Sequence, residues 1–252
     1  MLGKYTLLPF FKYKGASSID YWFVSHCDTD HISGLMELID MDYRIDNLVL
    51  SQISMEKGTD GSINDENVRN LLAKAQEKEI KILTMKAGDR LSLGGDSITC
   101  IYPGSSGNEN DKFVNTDRND LSLSLVISHR NFIGIFAGDL AESSELDLIE
   151  KIQSIKHDLG ISEDKLVLYK VNHHGSKTSS SRAWLDYLSP DISVISCARY
   201  NNYGHPSPET IRRLESLGSS IYKTMEYGQI SLLEAAIDNK YYIWYHKQYE
   251  DN

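Results

Sequence analysis

The sequence predicts an α/β fold, in which strands and helices alternate along most of the chain. Short apolar segments bounded by turn-forming residues recur throughout and are typical of buried strands. Between them, apolar residues repeat at helical spacing, as at Val68, Leu71, Leu72 and Ala75. A chain of 252 residues with 40% hydrophobic content can bury one large core. We therefore expect one layered α/β domain over residues 1–252.

In the first half of the chain, apolar runs mark the strands, and apolar residues three or four apart mark the helices. Either Asn64 or Asp65 is expected to cap the helix through Val68 and Ala75. The Gly-, Ser-, Asn- and Asp-rich stretch Gly104–Asp117 predicts a mobile loop. In chain order we predict strand Tyr21–Ser25, helix Gly34–Met41, strand Asp46–Ser51, the capped helix, and strands Ile80–Met85, Arg90–Leu93 and Ser97–Tyr102.

In the second half, two apolar runs form a predicted hairpin, and helices then separate the strands. Ser207 followed by Pro208 is a strong helix start, and Gly218 is expected to end that helix. In order we predict hairpin strands Leu121–Ile127 and Phe132–Phe136, a helix through Leu146 and Ile149, strand Leu166–Val171, helix Arg182–Leu188, strand Ile192–Ser196, the Ser207 helix, and strands Ser220–Lys223, Gln229–Leu233 and Tyr241–Tyr245.

Charge and cysteine content restrict the class of protein. The net charge of −10 argues against a nucleic-acid binder that works through its overall field. However, Lys165–Lys223 carries eight Lys or Arg against four Asp or Glu, so the rest of the chain carries −14. Three cysteines predict neither a disulfide framework nor a paired-cysteine zinc site, and Cys27 is expected to pack in the core. Without a long apolar run or signal-peptide pattern, the chain is expected to be soluble and, by default, cytoplasmic.

The most informative stretch is His26-Cys27-Asp28-Thr29-Asp30-His31, directly after the apolar run 21–24. Four side chains that can bind a metal fall within six residues, where a buried strand gives way to a loop. Imidazoles and carboxylates are ligands of divalent cations. In an extended segment His26, Asp28 and Asp30 point to one side, and His31 joins them as the chain turns. The sequence therefore predicts a metal site here.

Similar chemistry recurs after three later apolar strands. Asp139 follows strand 132–136, His173 and His174 follow strand 166–171, and His205 follows strand 192–196. A single Gly-Asp is more often a turn, and a single histidine is more often a surface residue. Their repetition at strand ends favours function. If these strands share a sheet, all three loops can converge with the first motif on one edge.

Together these motifs resemble the metallo-β-lactamase superfamily. The carrying residues are His26-x-Asp28-x-Asp30-His31, Gly138-Asp139 and His173-His174-Gly175-Ser176. The ComEC family of competence proteins, in its soluble metallo-β-lactamase-like domain, is the closer match. Four segments of this chain resemble sequence blocks of that family: Ser25-His26, Asn119 before Ser122-Leu123, 171–177 and 202–206. The resemblance spans roughly residues 5–234. It implies an αββα four-layer sandwich, a dinuclear metal site and a hydrolase proposed to degrade one DNA strand during uptake.

The chain departs from that pattern in three places. Asp28 stands where the superfamily usually has His, although Asp is ordinary in the ComEC-like branch. Asn119 stands where the third motif usually has His. Only about twenty residues precede Tyr21, whereas the family domain opens with a strand pair, so we expect the first strands to be missing or the chain to be a fragment. The membrane channel region of full ComEC proteins is also absent, and a role in DNA transport does not carry over.

The resemblance supplies a ligand assignment. His26 and Asp28 would hold one ion, Asp30 and His31 the other, and Asp139 would bridge them. His174 would add a ligand, with His173 as a supporting partner or the alternative ligand. Two divalent ions about 4 Å apart would activate a water and clamp phosphoryl oxygens. Three carboxylates favour a hard ion such as manganese, although zinc remains an alternative.

Other residues are candidates for contact with the substrate. His205 would bind phosphate or protonate the leaving group. His205 and Asp30 are the two candidate catalytic residues. Ser176, Lys177 and Asn119 are the further candidates for substrate binding, although Lys177 could equally be a solvated loop residue. The expected substrate is single-stranded DNA or another phosphodiester.

Two other function classes stay open. One is a small-molecule hydrolase, such as a choline-phosphoester phosphodiesterase or a lactonase, for which an aromatic cage would be evidence. The other is a non-catalytic truncated remnant. A sheet without its first strands exposes an edge. Either Leu2–Lys14 supplies a replacement strand, or a second chain covers the gap, and we expect a homodimer through this N-terminal edge.

Overall fold

The chain divides into two compact units. A computed structural model describes residues 1–55, 63, 65–104, 118–159, 165–234 and 241–245. The first unit comprises Met1–Asp89 and Tyr102–Leu123, and the second comprises Arg90–Ile101 and Ser124–Asn252. Residues 105–117, most of the predicted mobile loop, lie outside the described residues, as does Asn64. The expectation of a single domain stays a prediction.

The first unit is built on a small parallel sheet. Its strands are β1 (Ser18–Phe23), β2 (Arg44–Ser51) and β3 (Lys81–Met85), in that order. Its helices are α1 (Leu8–Tyr13), α2 (Thr29–Asp40) and α3 (Glu66–Glu77). Leu38, Leu48 and Leu71 are fully buried. The predicted cap of α3 is confirmed, because the Asp65 carboxylate accepts the backbone N–H groups of Asn67 and Val68.

The N-terminal segment is helical, so the replacement strand that we considered over Leu2–Lys14 is wrong. A π-helical turn over Gly3–Leu7 leads into α1, where Pro9 lies in the first turn. Gly3 packs so closely on α2 that an added Cβ would lie 2.5 Å from the Gly34 carbonyl oxygen. Phe11 stacks on Tyr43 at 5.4 Å between ring centroids. Helical packing and aromatic contacts therefore attach this segment. The predicted homodimer stays a prediction.

The second unit contains a mixed seven-stranded sheet and a separate hairpin. The sheet order is β10-β9-β8-β7-β6-β5-β4, with β7 to β10 parallel and β6 antiparallel to β7. The strands are β4 (Arg90–Leu93), β5 (Asp96–Tyr102), β6 (Ser124–His129), β7 (Phe132–Phe136), β8 (Leu166–Lys170), β9 (Ile192–Ile195) and β10 (Ser220–Lys223). The hairpin strands are β11 (Ile230–Glu234) and β12 (Tyr241–Tyr245), and the helices are α4 (Glu142–Leu159), α5 (Arg182–Leu188), α6 (Pro208–Ser216) and α7 (Thr224–Tyr227).

The predicted α/β fold class is confirmed, with one correction near the first motif. Helix α2 begins at Thr29, five residues before the predicted start at Gly34. Asp28 is therefore its N-cap residue, and Asp30 and His31 lie in its first turn instead of in an extended segment. Cys27 packs in the core cluster, as expected. Among the described residues, no helix combines the length and apolar character needed to cross a bilayer. The expected cytoplasmic location stays a prediction.

Candidate functional site

The first motif forms an imidazole–carboxylate cluster in the first unit. The rings of His26 and His31 lie 4.0 Å apart, centroid to centroid. The His26 Nε2 atom is 3.9 Å from Asp28 Oδ2, and the His31 Nε2 atom is 3.7 Å from Asp30 Oδ2. His26 is buried, Asp28 is partly exposed and Asp30 is exposed. Two imidazoles and two carboxylates at this spacing are a donor set that fits a divalent cation.

Serine hydroxyls contact the two imidazoles at Nδ1, whereas the carboxylates lie near Nε2. Ser25 Oγ lies 3.2 Å from His26 Nδ1 and 3.3 Å from His31 Nδ1, and Ser122 Oγ lies 3.4 Å from His26 Nδ1. A hydrogen bond at Nδ1 orients the imidazole and leaves Nε2 available for a metal. Neither serine was among the predicted site residues. Their position directly before His26 and after the Asn119 turn was the available signal.

Asn119 is linked to this cluster through backbone hydrogen bonds. It belongs to a single helical turn over Arg118–Leu121, and its carbonyl accepts the Ser122 N–H at 3.1 Å. The next residue, Leu123, donates its N–H to the Ser25 carbonyl at 2.7 Å. The segment from Asn119 to Leu123 is thus attached to the first motif within the same unit. Whether Asn119 contacts substrate stays a prediction.

The later motifs meet at one edge of the seven-stranded sheet. β7, β8 and β9 are adjacent and parallel, and Asp139, His173 and His205 follow their carboxyl ends. Ligands of open α/β sheets bind at such edges. The expectation that these three loops converge is therefore confirmed. The first motif differs, because it follows a strand of the three-stranded sheet, and the four loops do not share one sheet edge.

Asp139 and the paired histidines form the cluster of the second unit. Asp139 is buried, and its Oδ2 lies 3.5 Å from His174 Nε2 and 3.8 Å from His173 Nε2. His174 Nδ1 lies 2.7 Å from the Ser196 carbonyl oxygen, which makes Nδ1 the protonated nitrogen and leaves the Nε2 lone pair directed at the carboxylate side. The preference for His174 over His173 as a ligand stays a prediction.

The backbone at these histidines is strained. His173 and His174 have φ of 46° and 54°, in the left-handed region that residues with a Cβ seldom adopt. Such strain persists where the surroundings determine it and is concentrated at functional sites. Here the His173 N–H donates to the Gly138 carbonyl at 3.1 Å, which joins the loops after β7 and β8. Gly175 is needed at φ 83°, because a Cβ there would lie 2.7 Å from Pro206 Cβ.

His205 lies beside the paired histidines. Its ring centroid is 5.5 Å from that of His173, at an interplanar angle of 66°. Burial lowers the pKa of His205, and the neighbouring His173 and His174 lower it further, so the neutral imidazole is favoured near pH 7. The Ser207 N–H donates to the Gly175 carbonyl at 2.8 Å and fixes the loop that carries His205 against the loop that carries His174.

Ser176 and Lys177 occupy different environments. Ser176 is buried, and its hydroxyl lies 3.0 Å from that of Thr178. Lys177 is exposed. A role in substrate binding stays a prediction for both residues.

One aromatic cluster bears on the small-molecule alternative. Tyr222, Tyr227 and Tyr245 lie 4.5–6.0 Å from one another, centroid to centroid. Rings at these separations contact each other directly. The choline-phosphoester alternative stays a prediction.

The chain is similar in sequence to known bacterial proteins. No protein-family model matches the chain. It is 26% identical over 229 residues to ComE operon protein 3 of Bacillus subtilis, which covers 91% of this chain and 26% of that protein. It is 31% identical over 110 residues to competence protein ComA of Neisseria gonorrhoeae, covering 44% of this chain and 15% of that protein. The chain thus spans about a quarter, or less, of the length of these relatives.

Among solved structures, the chain resembles CmlA, a diiron beta-hydroxylase from Streptomyces venezuelae. The TM-score is 0.52 with 14% identity, covering 82% of this chain and 44% of that one. This likeness concerns the fold alone. The match to ComE operon protein 3 extends over most of the chain, and the match to competence protein ComA over 44% of it. By sequence, this chain is similar to ComEC-like competence proteins, in agreement with the motifs from which the resemblance to that branch of the metallo-β-lactamase superfamily was predicted.

Proposed function

We propose that this chain is a metal-dependent hydrolase that cleaves phosphodiester bonds in single-stranded DNA. The observation that supports the proposal is the set of possible metal ligands at the strand ends. There, the Nε2 atoms of imidazoles lie near carboxylates, and their Nδ1 atoms contact hydroxyl or carbonyl oxygens that orient the rings. Such second partners are characteristic of metal ligands. The similarity to ComE operon protein 3 over most of the sequence, and to competence protein ComA over 44% of it, supports DNA as the substrate.

The ligand assignment made from the sequence is part of this proposal. His26 and Asp28 would hold one divalent ion and Asp30 and His31 the other, with Asp139 as the bridge. His174 would complete the set, because the Ser196 carbonyl orients its ring. Bound in this way, two divalent ions would supply a hydroxide nucleophile near neutral pH and charge neutralisation at the phosphoryl group. The three carboxylates favour manganese over zinc.

The remaining residues would position the substrate. The lowered pKa of His205 makes it a neutral hydrogen-bonding group at neutral pH, which favours contact with a phosphoryl oxygen over donation of a proton to the leaving group. Exposed Lys177 would add a positive charge to the loop after β8. Ser176 would act through the conformation of that loop, because its hydroxyl is buried against Thr178. Asn119 would help to orient the DNA strand.

The proposal is tested by metal content and hydrolysis in the same preparations. Protein loaded with Mn²⁺ or Zn²⁺ is assayed on single-stranded DNA, duplex DNA and bis-p-nitrophenyl phosphate, with and without a chelator. Asp139→Ala should lower the metal content by more than one ion per chain and abolish turnover, since both ions lose a charged ligand. Asp186→Ala is the matched control, because this exposed carboxylate of α5 pairs only with Arg182 among the described residues.

Three results would contradict parts of the proposal. Turnover that a chelator leaves unchanged would exclude a metal-dependent mechanism. Unchanged metal stoichiometry in Asp139→Ala would exclude the bridged pair of ions, and turnover of small phosphodiesters alone would favour the small-molecule class.

A further inference from the structure

The loop between β9 and α6 carries two tyrosines with little contact to the rest of the protein. Tyr200 is 90% exposed and Tyr203 is 82% exposed. Single exposed aromatic residues are common on protein surfaces and need no explanation. Tyr203 differs from Tyr200 because its ring has a defined orientation beside the histidine cluster.

Tyr203 stacks on His205. Their ring centroids lie 5.7 Å apart and their planes differ by 17°, close to an offset parallel stack. His205 in turn lies with its edge against His173. One face of the Tyr203 ring is therefore directed at the imidazole, and the high exposure of the side chain leaves the other face open to solvent. No ring contact of Tyr200 is found among the described residues.

The loop that presents Tyr203 is fixed by one asparagine side chain. Asn201 Oδ1 accepts the His205 N–H at 2.9 Å, and Asn201 Nδ2 donates to the carbonyls of His205 at 2.7 Å and Ala198 at 3.0 Å. Arg199 also donates to the Met225 carbonyl at 3.3 Å. A surface that is already ordered loses less conformational entropy when a ligand binds. The backbone on both sides of Tyr203 is thus held in place, and the ring rests with one face on His205.

We infer that Tyr203 is a stacking platform for a nucleobase of a single-stranded nucleic acid, next to the nucleotide whose phosphate His205 contacts. The inference rests on the proposed function and names how its substrate is recognised. Every base offers a π-face, so stacking on an aromatic side chain is tolerant of sequence. In a duplex the base faces are already stacked on their neighbours. The platform would therefore select single strands over duplexes with little preference among sequences.

A binding experiment separates base stacking from phosphate contact. The Mn²⁺-loaded protein is titrated, by fluorescence anisotropy, into a short labelled oligothymidylate with nuclease-resistant phosphorothioate links, and into an abasic strand of equal length. Tyr203→Ala should weaken binding of the base-bearing strand by roughly 5- to 150-fold, the range expected for one base stacked on an aromatic residue. Binding of the abasic strand should be unchanged. Tyr203→Trp should restore the affinity.

Tyr200→Ala is the matched control, since it removes an equally exposed tyrosine of the same loop that lacks the His205 stack. Equal losses in Tyr200→Ala and Tyr203→Ala, equal losses on both strands, or a wild-type protein that binds both strands alike would each overturn the inference. Hydrolysis of DNA with unchanged binding in Tyr203→Ala would refute the platform and leave the hydrolase standing. Base-dependent binding without hydrolysis would refute the hydrolase and leave the platform standing.

Discussion

At the scale of single residues, the paired histidines after β8 have different surroundings although their side chains are the same. Both Nε2 atoms lie within 4 Å of Asp139, so distance to the carboxylate does not separate them. The difference lies at Nδ1, where His174 contacts the Ser196 carbonyl, whereas the His173 ring packs against that of His205. An imidazole held at Nδ1 by a carbonyl is oriented to bind a metal through Nε2.

This difference predicts unequal effects of two substitutions on metal affinity. His174→Ala should weaken binding of Mn²⁺ or Zn²⁺ by at least the about 10- to 100-fold that loss of an outer partner causes, because it removes a direct ligand. His173→Ala should cost less. Competition with a chromophoric chelator measures both affinities under the same conditions. A larger loss in His173→Ala would make His173 the ligand, which is the alternative that the sequence left open.

At the scale of secondary-structure elements, a buried carboxylate joins α4 to the segment before α5. Glu145 is fully buried in α4 and accepts the backbone N–H groups of Ser180 at 2.6 Å and Ser181 at 2.8 Å, together with Asn172 Nδ2 at 3.2 Å. Burial raises the pKa of Glu145, and the bonds from Ser181 and Ser180 oppose that shift. Asn172 directly precedes the paired histidines, so this carboxylate supports the loop after β8.

Removing Glu145 should therefore destabilise the fold. Glu145→Ala leaves two buried N–H groups and an amide without their acceptor, and each such group costs about 1–3 kcal/mol of the free energy of unfolding. Urea denaturation measures the loss. Glu150→Ala, at an exposed position of the same helix, is the control and should change the stability by less than about 0.5 kcal/mol. Equal midpoints for the two variants would show that the carboxylate is not structural.

A histidine between two carboxylates joins the terminal hairpin to the large sheet. His129 of β6 contacts Asp96 of β5 through Nδ1 and Glu234 of β11 through Nε2, the latter at 3.0 Å. Both ring nitrogens face oxygen acceptors, so the imidazolium form satisfies both contacts. Glu234 and then Asp96 raise the pKa of His129. Arg130 also pairs with Glu234 at 3.0 Å.

The raised pKa predicts a dependence of stability on pH. Because His129 binds its proton more tightly in the folded chain, its contribution is complete below the ordinary histidine pKa near 6.5 and is lost as pH rises through the folded value. The pKa of Glu234 is lowered, chiefly by His129, so its contribution is present above its ordinary pKa and is lost as pH falls through the folded value.

The measurement is the difference in melting temperature between wild type and His129→Gln at several pH values. The difference should be largest in mildly acidic buffer and should shrink towards alkaline pH. The other histidines are present in both proteins, so their contributions cancel in the comparison. A difference that is constant across pH would show that the proton on His129 does not contribute.

Much of this element order could be predicted from the sequence, for a physical reason. Strands β4, β10 and β12 and helix α5 agree residue for residue with the predictions, because turn-forming residues bound them and their apolar period is clear. The loops after β7, β8 and β9 could be anticipated because apolar strands in one parallel array end at one edge.

The rest depended on tertiary contacts that the sequence pattern does not encode. The early start of α2 was missed because the ligand-rich residues were read as extended, although acidic residues suit a helix N-terminus. The N-terminal segment was read as a strand or a gap, yet packing of Gly3 against Gly34 selects a helix there. Ser25, Ser122 and the Ser196 carbonyl could not be assigned because their partners lie elsewhere in the folded chain.

At the scale of the whole molecule, the charge distribution opposes the proposed substrate except in one region. The chain carries a net charge of −10, which repels nucleic acid, whereas Lys165–Lys223 has an excess of positive charge. That segment contains the loops after β8 and β9 and the Tyr203 platform. Lys177 and Arg199 are exposed within it. Binding of DNA would therefore depend on a few local contacts to phosphate and not on the overall field.

This distribution predicts how affinity responds to salt. Each phosphate that a lysine or arginine neutralises releases a counterion, so the logarithm of the binding constant for single strands falls with the logarithm of salt concentration by about 0.7 per contact. Lys177→Gln and Arg199→Gln should each make that slope shallower by about 0.7. Lys81→Gln, an exposed lysine of β3 outside the basic segment, should leave it unchanged. Anisotropy titrations of the nuclease-resistant strand across a salt series give the slopes.

If the affinity does not respond to salt, the basic segment is only a solvated surface, and the case for DNA would rest on base stacking and the competence-protein relatives alone. If the slope responds equally to all three variants, contacts to phosphate are spread over the surface, and the loops after β8 and β9 do not define the path of the strand.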